Sequence, residues 1–315
     1  MKTLIKNNLF LILIILMVIF SVLMPDPGSY IKDLGLLPVL TFIAMFISGL
    51  ALNLDNFKKS IKNYKVILFS AGTAFLIFPA VSFFLSKLFF SGTYDAFVGA
   101  MIISTQASTV TSAIVLTMAA NGSVPLAIVI TIINNTLSAF ISPVLLRFFL
   151  SMETAIEFDV AGMILNLVMV LILPIFLAQL IKMFLKKIVR YIDPWKKKIA
   201  NVVVLMFVMI GASTASSEIK ENMSIIFGII AFSVVLHIAI LLICYVYIKI
   251  TATKREDIPP LLFCSAEKTM TTSTMIWGTY FGQYLIAPIV IVGYHLMQIV
   301  IDSFIAGHLG KKGSR

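Results

Sequence analysis

The sequence predicts an all-α polytopic membrane protein with ten transmembrane helices. Of its 315 residues, 60% are hydrophobic and only 12% are charged, whereas a soluble domain carries about 25% charged residues. The hydrophobic residues form repeated runs of roughly 20, which are long enough to cross a ~30 Å hydrocarbon core as helices. Alternating strands of about 10 residues, typical of outer-membrane barrels, do not occur in the pattern. These observations favour a single helical membrane domain over residues 1–315.

The predicted spans cover most of the chain. In order they are 8–24, 36–54, 65–89, 94–120, 122–150, 161–185, 198–216, 223–250, 258–280 and 284–306. The first run is similar to a signal peptide, but it lacks a small-x-small cleavage site and leads directly into a Pro-rich turn at 24–28. We therefore expect this run to be the first span.

The distribution of charge predicts how the chain is oriented. Most of the 24 Lys and Arg residues lie in alternate connections, especially 58–65 and 182–198, and such connections face the cytoplasm. The connection around Glu153, Glu157 and Asp159 is acidic, as expected of an outer loop. The pattern predicts a protein of the cytoplasmic membrane with both termini in the cytoplasm. It also explains the net charge of +10 without nucleic acid as a partner.

Two segments 161 residues apart share a pattern of polar residues and indicate an internal repeat. When 104–112 is laid on 265–273, hydroxyl residues coincide and a glutamine meets a glutamate, at Ser104/Ser265, Ser108/Thr269, Thr111/Thr272, Ser112/Ser273 and Gln106/Glu267. Five spans separate the two halves, so the halves run in opposite directions through the membrane. The pattern predicts inverted repeats of about 8–150 and 161–306, with polar, broken helices at spans 4 and 9.

Span 9 carries two charged residues at a depth where the membrane interior is expected. Glu267 and Lys268 lie in a hydroxyl-rich stretch, and a charge at the bilayer centre costs at least ~2.5 kcal/mol. Glu267 is therefore predicted to bind a coupling cation, although a purely structural pairing with a resident cation also explains it. Lys268 has three interpretations: it neutralises Glu267, it replaces a bound cation, or it contacts an anionic substrate.

Spans 5 and 10 supply further polar groups. Thr131, Asn134, Asn135 and Ser138 recur at helical spacing on span 5, where they serve either as links between helices or as ligands. Span 10 places His295, Gln298 and Asp302 one turn apart. They are arranged as a proton relay would be, but we expect Asp302 to pair with Lys311 or Lys312 near the inner interface.

Other classes of function have no support in the sequence. The two cysteines and three histidines are scattered and give no transition-metal spacing. We find no phosphate-binding loop of the G-x-x-x-x-G-K-S/T kind and no arrangement of nucleophile and base. The sequence therefore predicts neither an ATP-driven pump nor an enzyme, and it predicts no cofactor.

Three motifs, at 46–52, 110–117 and 263–269, resemble the bile acid/sodium symporter family, and in particular its divergent branch around sodium/bile acid cotransporter seven. The resemblance implies a panel domain of spans 1, 2, 6 and 7 and a core domain of spans 3–5 and 8–10. Broken helices 4 and 9 would cross in the core, and substrate would move by alternating access between the domains. One sodium ion would bind Glu267, Thr131 and either Thr111 or Ser112.

A second ion in this family uses the same glutamate, nearby groups of span 9, here Met270 and Thr271, and a glutamine of span 3. The present chain departs from that pattern, because Ala74 stands at the span 3 position and Thr271 at a span 9 glutamine position. Lys268 likewise has no counterpart in the bile-acid-transporting members.

The sequence thus predicts a secondary transporter that couples sodium to the uptake of a small organic anion across the lipid bilayer. The predicted ion ligands are Glu267, Thr111, Ser112, Thr131, Met270 and Thr271. The predicted substrate contacts are Asn134, Asn135, Lys268, His295, Gln106 and Thr269. Two alternatives remain open: a proton-coupled or antiporting carrier in which Lys268 replaces sodium, and a non-transporting membrane protein that regulates ion homeostasis.

Overall fold

The computed structural model describes residues 2–52, 60–153, 158–221 and 223–312, and this part of the chain is helical without strands. The first seven helices are α1 (Lys2–Leu23), α2 (Asp26–Asp33), α3 (Leu37–Ala51), α4 (Tyr64–Phe89), α5 (Tyr94–Ser104), α6 (Thr111–Ala119) and α7 (Val124–Ser151). The others are α8 (Val160–Phe184), α9 (Lys186–Ile192), α10 (Lys196–Thr214), α11 (Ser216–Glu221), α12 (Met223–Thr251), α13 (Ile258–Ala266), α14 (Met270–Tyr280) and α15 (Ala287–Lys312).

Six helices of the described residues are long and apolar enough to cross a membrane, namely α4, α7, α8, α10, α12 and α15. The end of α1 and the whole of α2 add a seventh candidate, bent by 91° at the predicted Pro-rich turn. Large apolar side chains on these helices face outward, as Phe84 and Phe176 do. Because such surfaces are stable only in lipid, the protein is a multi-pass membrane protein.

The remaining predicted spans differ from single long helices. Predicted span 2 is the shorter helix α3, of 15 residues, while spans 4 and 9 are each divided, into α5 and α6 and into α13 and α14. The basic residues Lys58 and Lys59 and the acidic Glu157 lie at 53–59 and 154–157, outside the described residues.

The helices form two packed groups that also contact each other, α7 against α8 and α3 against α14. In one group α3 lies against α8 and α10, and α1 lies against α10. In the other, α15 packs on α5 and α12, and α13 packs on α6, α7 and α12. Small residues permit close approaches: a Cβ added at Gly49 would lie 2.8 Å from Ala178 Cβ, and one at Gly99 would lie 2.5 Å from the Ala287 carbonyl oxygen.

A π-helical turn in α4 frees one backbone carbonyl. Within Thr73–Ile77 the backbone hydrogen bonds join residues five apart, whereas in an α-helix they join residues four apart. The Phe78 N–H therefore donates to the Thr73 carbonyl. The next carbonyl, of Ala74, would then require an N–H at Pro79, which proline lacks. The Ala74 carbonyl is therefore left without a helical donor, and another group must satisfy it.

Candidate ion site at two helix breaks

Two interrupted helices meet at the candidate site. The first break, 105–110, separates α5 from α6, and the second, 267–269, separates α13 from α14. The backbone N–H of Thr269 in the second break donates to the carbonyl of Ala107 in the first, at 3.0 Å. The breaks therefore satisfy part of each other's unpaired backbone, which cannot be left unsatisfied at membrane depth.

Side chains of the long helices α7 and α15 hold further backbone groups of the breaks. On α7, Asn135 donates its amide to the Ser108 carbonyl at 3.1 Å, and Ser142 donates to the Thr105 carbonyl at 2.6 Å. On α15, Gln298 accepts the Lys268 N–H at 2.7 Å and donates to the Lys268 carbonyl at 2.9 Å. Each break is thus fixed by side chains that replace the missing helical hydrogen bonds.

Glu267 is completely buried where the two breaks meet. One carboxylate oxygen, Oε2, accepts hydrogen bonds from the hydroxyls of Thr109 and Ser112, the latter at 2.5 Å. The other oxygen, Oε1, has no protein partner although it is buried. A buried anionic oxygen without a partner is costly, and hard cations take oxygen ligands of this kind. The arrangement can therefore receive a small cation or a proton.

The side chain of Lys268 is also fully buried, but it turns to different partners. Its ammonium donates to the Ala74 carbonyl, freed by the π-helical turn, and to the Gln106 carbonyl in the first break, each at 2.7 Å. The ring of Phe78 lies 4.3 Å away, within the range of a cation–π contact. Two carbonyls and an aromatic face form a cation site that this lysine fills from within the chain.

Among the described ion pairs none joins Glu267 to Lys268. The carboxylate faces hydroxyls while the ammonium faces carbonyls, so the two charges balance each other without direct contact. With both groups ionised, the site has no net charge. Uptake of one monovalent cation would then give it a charge of plus one.

The remaining predicted ion ligands differ in their burial and in their hydrogen-bond partners. Thr111 is exposed, and its neighbour Ser112 supplies the hydroxyl on Glu267. Thr131 is buried and bonds to the Ile128 carbonyl of its own helix at 2.9 Å. Met270 and Thr271 are buried at the start of α14.

Most of the predicted substrate contacts lie in the breaks or bond to side chains that hold them. Asn134 donates to Ser70 at 3.4 Å, whereas Asn135 holds the first break as described. His295 bonds at 2.9 Å to Gln298, the side chain that holds the Lys268 backbone. Thr269 pairs with Thr271 at 3.1 Å. The amide of Gln106 bonds back to the Ile102 carbonyl at 3.3 Å, and its Oε1 is without a partner.

Sequence reasoning missed two features of this region. Thr109, which bonds to Glu267, lies within the repeated segment 104–112, so the repeat itself was the available signal. The expected pairing of Asp302 with Lys311 or Lys312 is wrong, because Asp302 is completely buried and bonds to His237 on α12 at 2.9 Å. The rotation of α15 turns Asp302 toward that helix.

Interrupted helices that meet at polar groups inside a multi-pass helical protein are typical of secondary transporters. The chain belongs to the SBF-like CPA transporter family, whose model matches residues 8–311.

Named relatives agree with this class. Sodium/bile acid cotransporter 7-B of Xenopus laevis is 24% identical, over 95% of this chain and 90% of the relative. Sodium/bile acid cotransporter 7 of Danio rerio is 23% identical, over 95% of this chain and 92% of the relative. A plant protein of Arabidopsis thaliana, "Probable sodium/metabolite cotransporter BASS4, chloroplastic", is 22% identical over 92% of this chain and 69% of its own length. The chain is thus a divergent member of the bile acid/sodium symporter family, and a transporter.

Proposed function

We propose that this protein is a secondary active transporter that couples the inward movement of sodium to the uptake of a small organic anion. The observation that carries the proposal is the buried Glu267 carboxylate, which receives two hydroxyls on one oxygen and has no partner on the other. The names of the relatives, sodium/bile acid and sodium/metabolite cotransporters, support sodium and an organic solute as the transported pair.

For the architecture we propose ten spans in two inverted five-helix repeats, with both termini on the cytoplasmic side of the cytoplasmic membrane. The two packing groups support this arrangement, because α1, α3, α8 and α10 correspond to the panel and the other long helices to the core. The two breaks lie 161 residues apart in the repeat alignment, which supports their equivalence. Alternating access would then move the panel against the core.

We propose one sodium ion per chain. Its ligands are Glu267, Ser112 and Thr109, and the predicted contributions of Thr131, Met270 and Thr271 are part of the same proposal. Thr111 is exposed and is not included among the ligands. Lys268 takes the place of a second cation. Its ammonium bonds to the Ala74 carbonyl, at the position of span 3 where the resemblance places a glutamine ligand for the second ion.

Electrostatics links the ion to the anion in this proposal. The empty site is neutral and becomes positive when sodium binds, which raises the affinity for an anion nearby. Because coupling between two sites is reciprocal, the bound anion raises the affinity for sodium by the same factor. The anion would be contacted by the polar groups around the breaks, namely Asn134, Asn135, Gln106, Thr269, His295 and the field of Lys268.

The test requires no knowledge of the substrate. The full chain, purified in detergent, is unfolded thermally in increasing sodium, with choline holding the ionic strength fixed. A ligand at about 100 times its Kd stabilises the folded state by about 2.7 kcal/mol, so the unfolding temperature should rise with sodium. In Glu267→Gln this rise should disappear, whereas Glu256→Gln, the same change at an exposed glutamate, should retain it.

Two results would contradict the sodium proposal. A sodium effect that survives Glu267→Gln would place the ion elsewhere. Equal curves in sodium and choline for the wild-type protein would exclude sodium and favour the proton-coupled alternative, in which Glu267 carries the proton and the Lys268 ammonium takes the place of sodium.

A further inference from the structure

A second group of buried ionisable side chains lies outside the ion site. His237 on α12 is completely buried between two residues of α15, with its Nδ1 2.8 Å from the Tyr294 hydroxyl and its Nε2 2.9 Å from Asp302 Oδ1. The other Asp302 oxygen has no partner. The Tyr294 hydroxyl in turn donates to the carbonyl of Ala266 at 2.8 Å, and Ala266 is the residue before Glu267.

The number of available protons determines which atoms donate in this series of hydrogen bonds. A tyrosine hydroxyl has one proton, and because the Ala266 carbonyl can only accept, that proton points to Ala266. The contact with His237 therefore requires a proton on Nδ1. The contact between Nε2 and Asp302 requires a further proton, which either nitrogen or carboxyl oxygen can hold. The observed geometry is thus that of a His–Asp pair with a proton bound between its members.

Loss of that proton changes the direction of the hydrogen bonds. The neutral imidazole then places its single proton on Nε2, where it faces the Asp302 carboxylate. Nδ1 becomes an acceptor and draws the proton of Tyr294, whose hydrogen bond to the Ala266 carbonyl is broken. One proton leaves, and no other group is required to balance the change. The charge of the pair falls by one unit.

We propose that the His237–Asp302 pair is a proton-binding site whose occupancy controls the Tyr294 hydrogen bond at the end of α13, directly before Glu267. This inference goes beyond the proposed sodium coupling and does not depend on it. It makes the second helix break responsive to pH through a group that contacts neither the ion nor the lysine.

Other ionisable groups face the pair and set the field in which it titrates. They are Tyr294 on α15, Cys244 on α12 and Glu267 at the second break, each close enough to interact electrostatically with Asp302. The α4 side chain against Tyr294 is Phe78, an uncharged ring. Because Glu267 is an anion near the pair, a cation at the ion site and the proton at His237 are expected to influence each other.

Nuclear magnetic resonance of ring-nitrogen-labelled histidine tests this proposal on the full chain in detergent, in sodium-free buffer. The His237 signal is identified by its absence in His237→Gln. The spectra are followed from about pH 5 to about pH 8, where an ordinary histidine titrates, and further to the limits of stability. We expect Nδ1 to be protonated at low pH and bare at high pH, with Nε2 protonated at high pH.

Two variants distinguish a pair that binds and releases a proton from a pair that has only a structural role. In Asp302→Asn the amide donates to Nε2, so Nδ1 should remain protonated at every pH. In Tyr294→Phe the His–Asp pair remains, but Nδ1–H loses its acceptor, so the midpoint should differ from that of the wild-type protein. The second variant keeps the test available if the first does not fold.

Two results would overturn the proposal. One is a His237 ring whose protonation does not change over the accessible pH range. The other is a midpoint that is the same in wild type and in Tyr294→Phe. Because sodium is absent, neither result bears on the sodium proposal, which the unfolding experiment tests separately.

Discussion

The first break, 105–110, and the second, 267–269, lie against each other but are held by different chemistry. The first has only neutral groups, and its carbonyls are satisfied by Asn135, Ser142 and the Lys268 ammonium. The second carries both full charges and is clasped through its backbone by Gln298. In the proposed function, the neutral break supplies oxygen ligands, while the charged break supplies the anion for a cation and the fixed ammonium that balances it.

This division explains why the two segments are similar in pattern but not in charge. Hydroxyl and amide groups at a break satisfy freed backbone wherever it occurs, so both repeats need them. Only one carboxylate and one ammonium are required at their junction, and a second pair would add further desolvation cost. The comparison predicts that removing charge from the second break has larger effects than removing a neutral partner from the first.

The largest effect on stability is expected from Lys268→Met, which keeps the apolar stem and removes the ammonium. The carbonyls of Ala74 and Gln106 lose their donor, and breaking a buried charged contact of this kind costs about 3–5 kcal/mol. Sodium should restore part of this loss, since the two freed carbonyls then offer a site to an added cation. Thermal unfolding with and without sodium measures both effects.

Lys87→Met is the matched control for that change. Lys87 pairs with Glu153 at 2.5 Å with its side chain 47% exposed, and pairs near the surface are worth about 0–1 kcal/mol. Equal losses of stability in the two methionine variants would contradict the view that Lys268 fills a cation site.

The next largest effect is expected from Gln298→Leu. Both backbone groups of Lys268 lose their partner, which costs about 2–3 kcal/mol for two buried hydrogen bonds. Gln179→Leu is the control, because Gln179 donates to a single carbonyl, that of Gly49, at 2.6 Å. If chemical denaturation gives the same loss in the free energy of unfolding for both variants, Gln298 does not stabilise the protein through two backbone hydrogen bonds.

A smaller effect, on sodium affinity, is expected from Ser112→Ala. It removes one of the two hydroxyls on Glu267 and should weaken sodium binding roughly tenfold, equivalent to about 1.4 kcal/mol. Thr111→Ala, one residue earlier and exposed, should leave the affinity unchanged. The reverse result in a sodium titration would assign the ligand to Thr111, as the resemblance also allows.

The smallest effect is expected from Ser142→Ala in the neighbourhood of the neutral break. The Thr105 carbonyl loses a neutral donor, at a cost of about 1 kcal/mol. Ser138→Ala provides the comparison, because Ser138 bonds only to the Asn135 carbonyl of its own helix, whose backbone bonding is otherwise intact. A loss in Ser142→Ala as large as that in Lys268→Met would refute the contrast between the two breaks.

Sequence reasoning identified both breaks and placed Glu267 in the second, because polar residues in apolar runs of spanning length are visible as a pattern. It could not identify the partner of Lys268, since the freed Ala74 carbonyl depends on a π-helical turn, and backbone carbonyls leave no mark in side-chain periodicity. Pro79, which lacks a backbone N–H, was the available sign that a carbonyl in this helix is left without a donor. The His237–Asp302 pair was missed because it requires the relative rotation of α12 and α15, which neither helix determines alone.

We propose one cation site at Glu267, with the Lys268 ammonium in place of a second cation. Counting radioactive sodium bound to the purified chain at saturation, by equilibrium dialysis, tests it most directly. We expect one sodium ion per wild-type chain, none in Glu267→Gln, and a second ion in Lys268→Met. Two ions in the wild-type protein, or one retained in Glu267→Gln, would contradict the account.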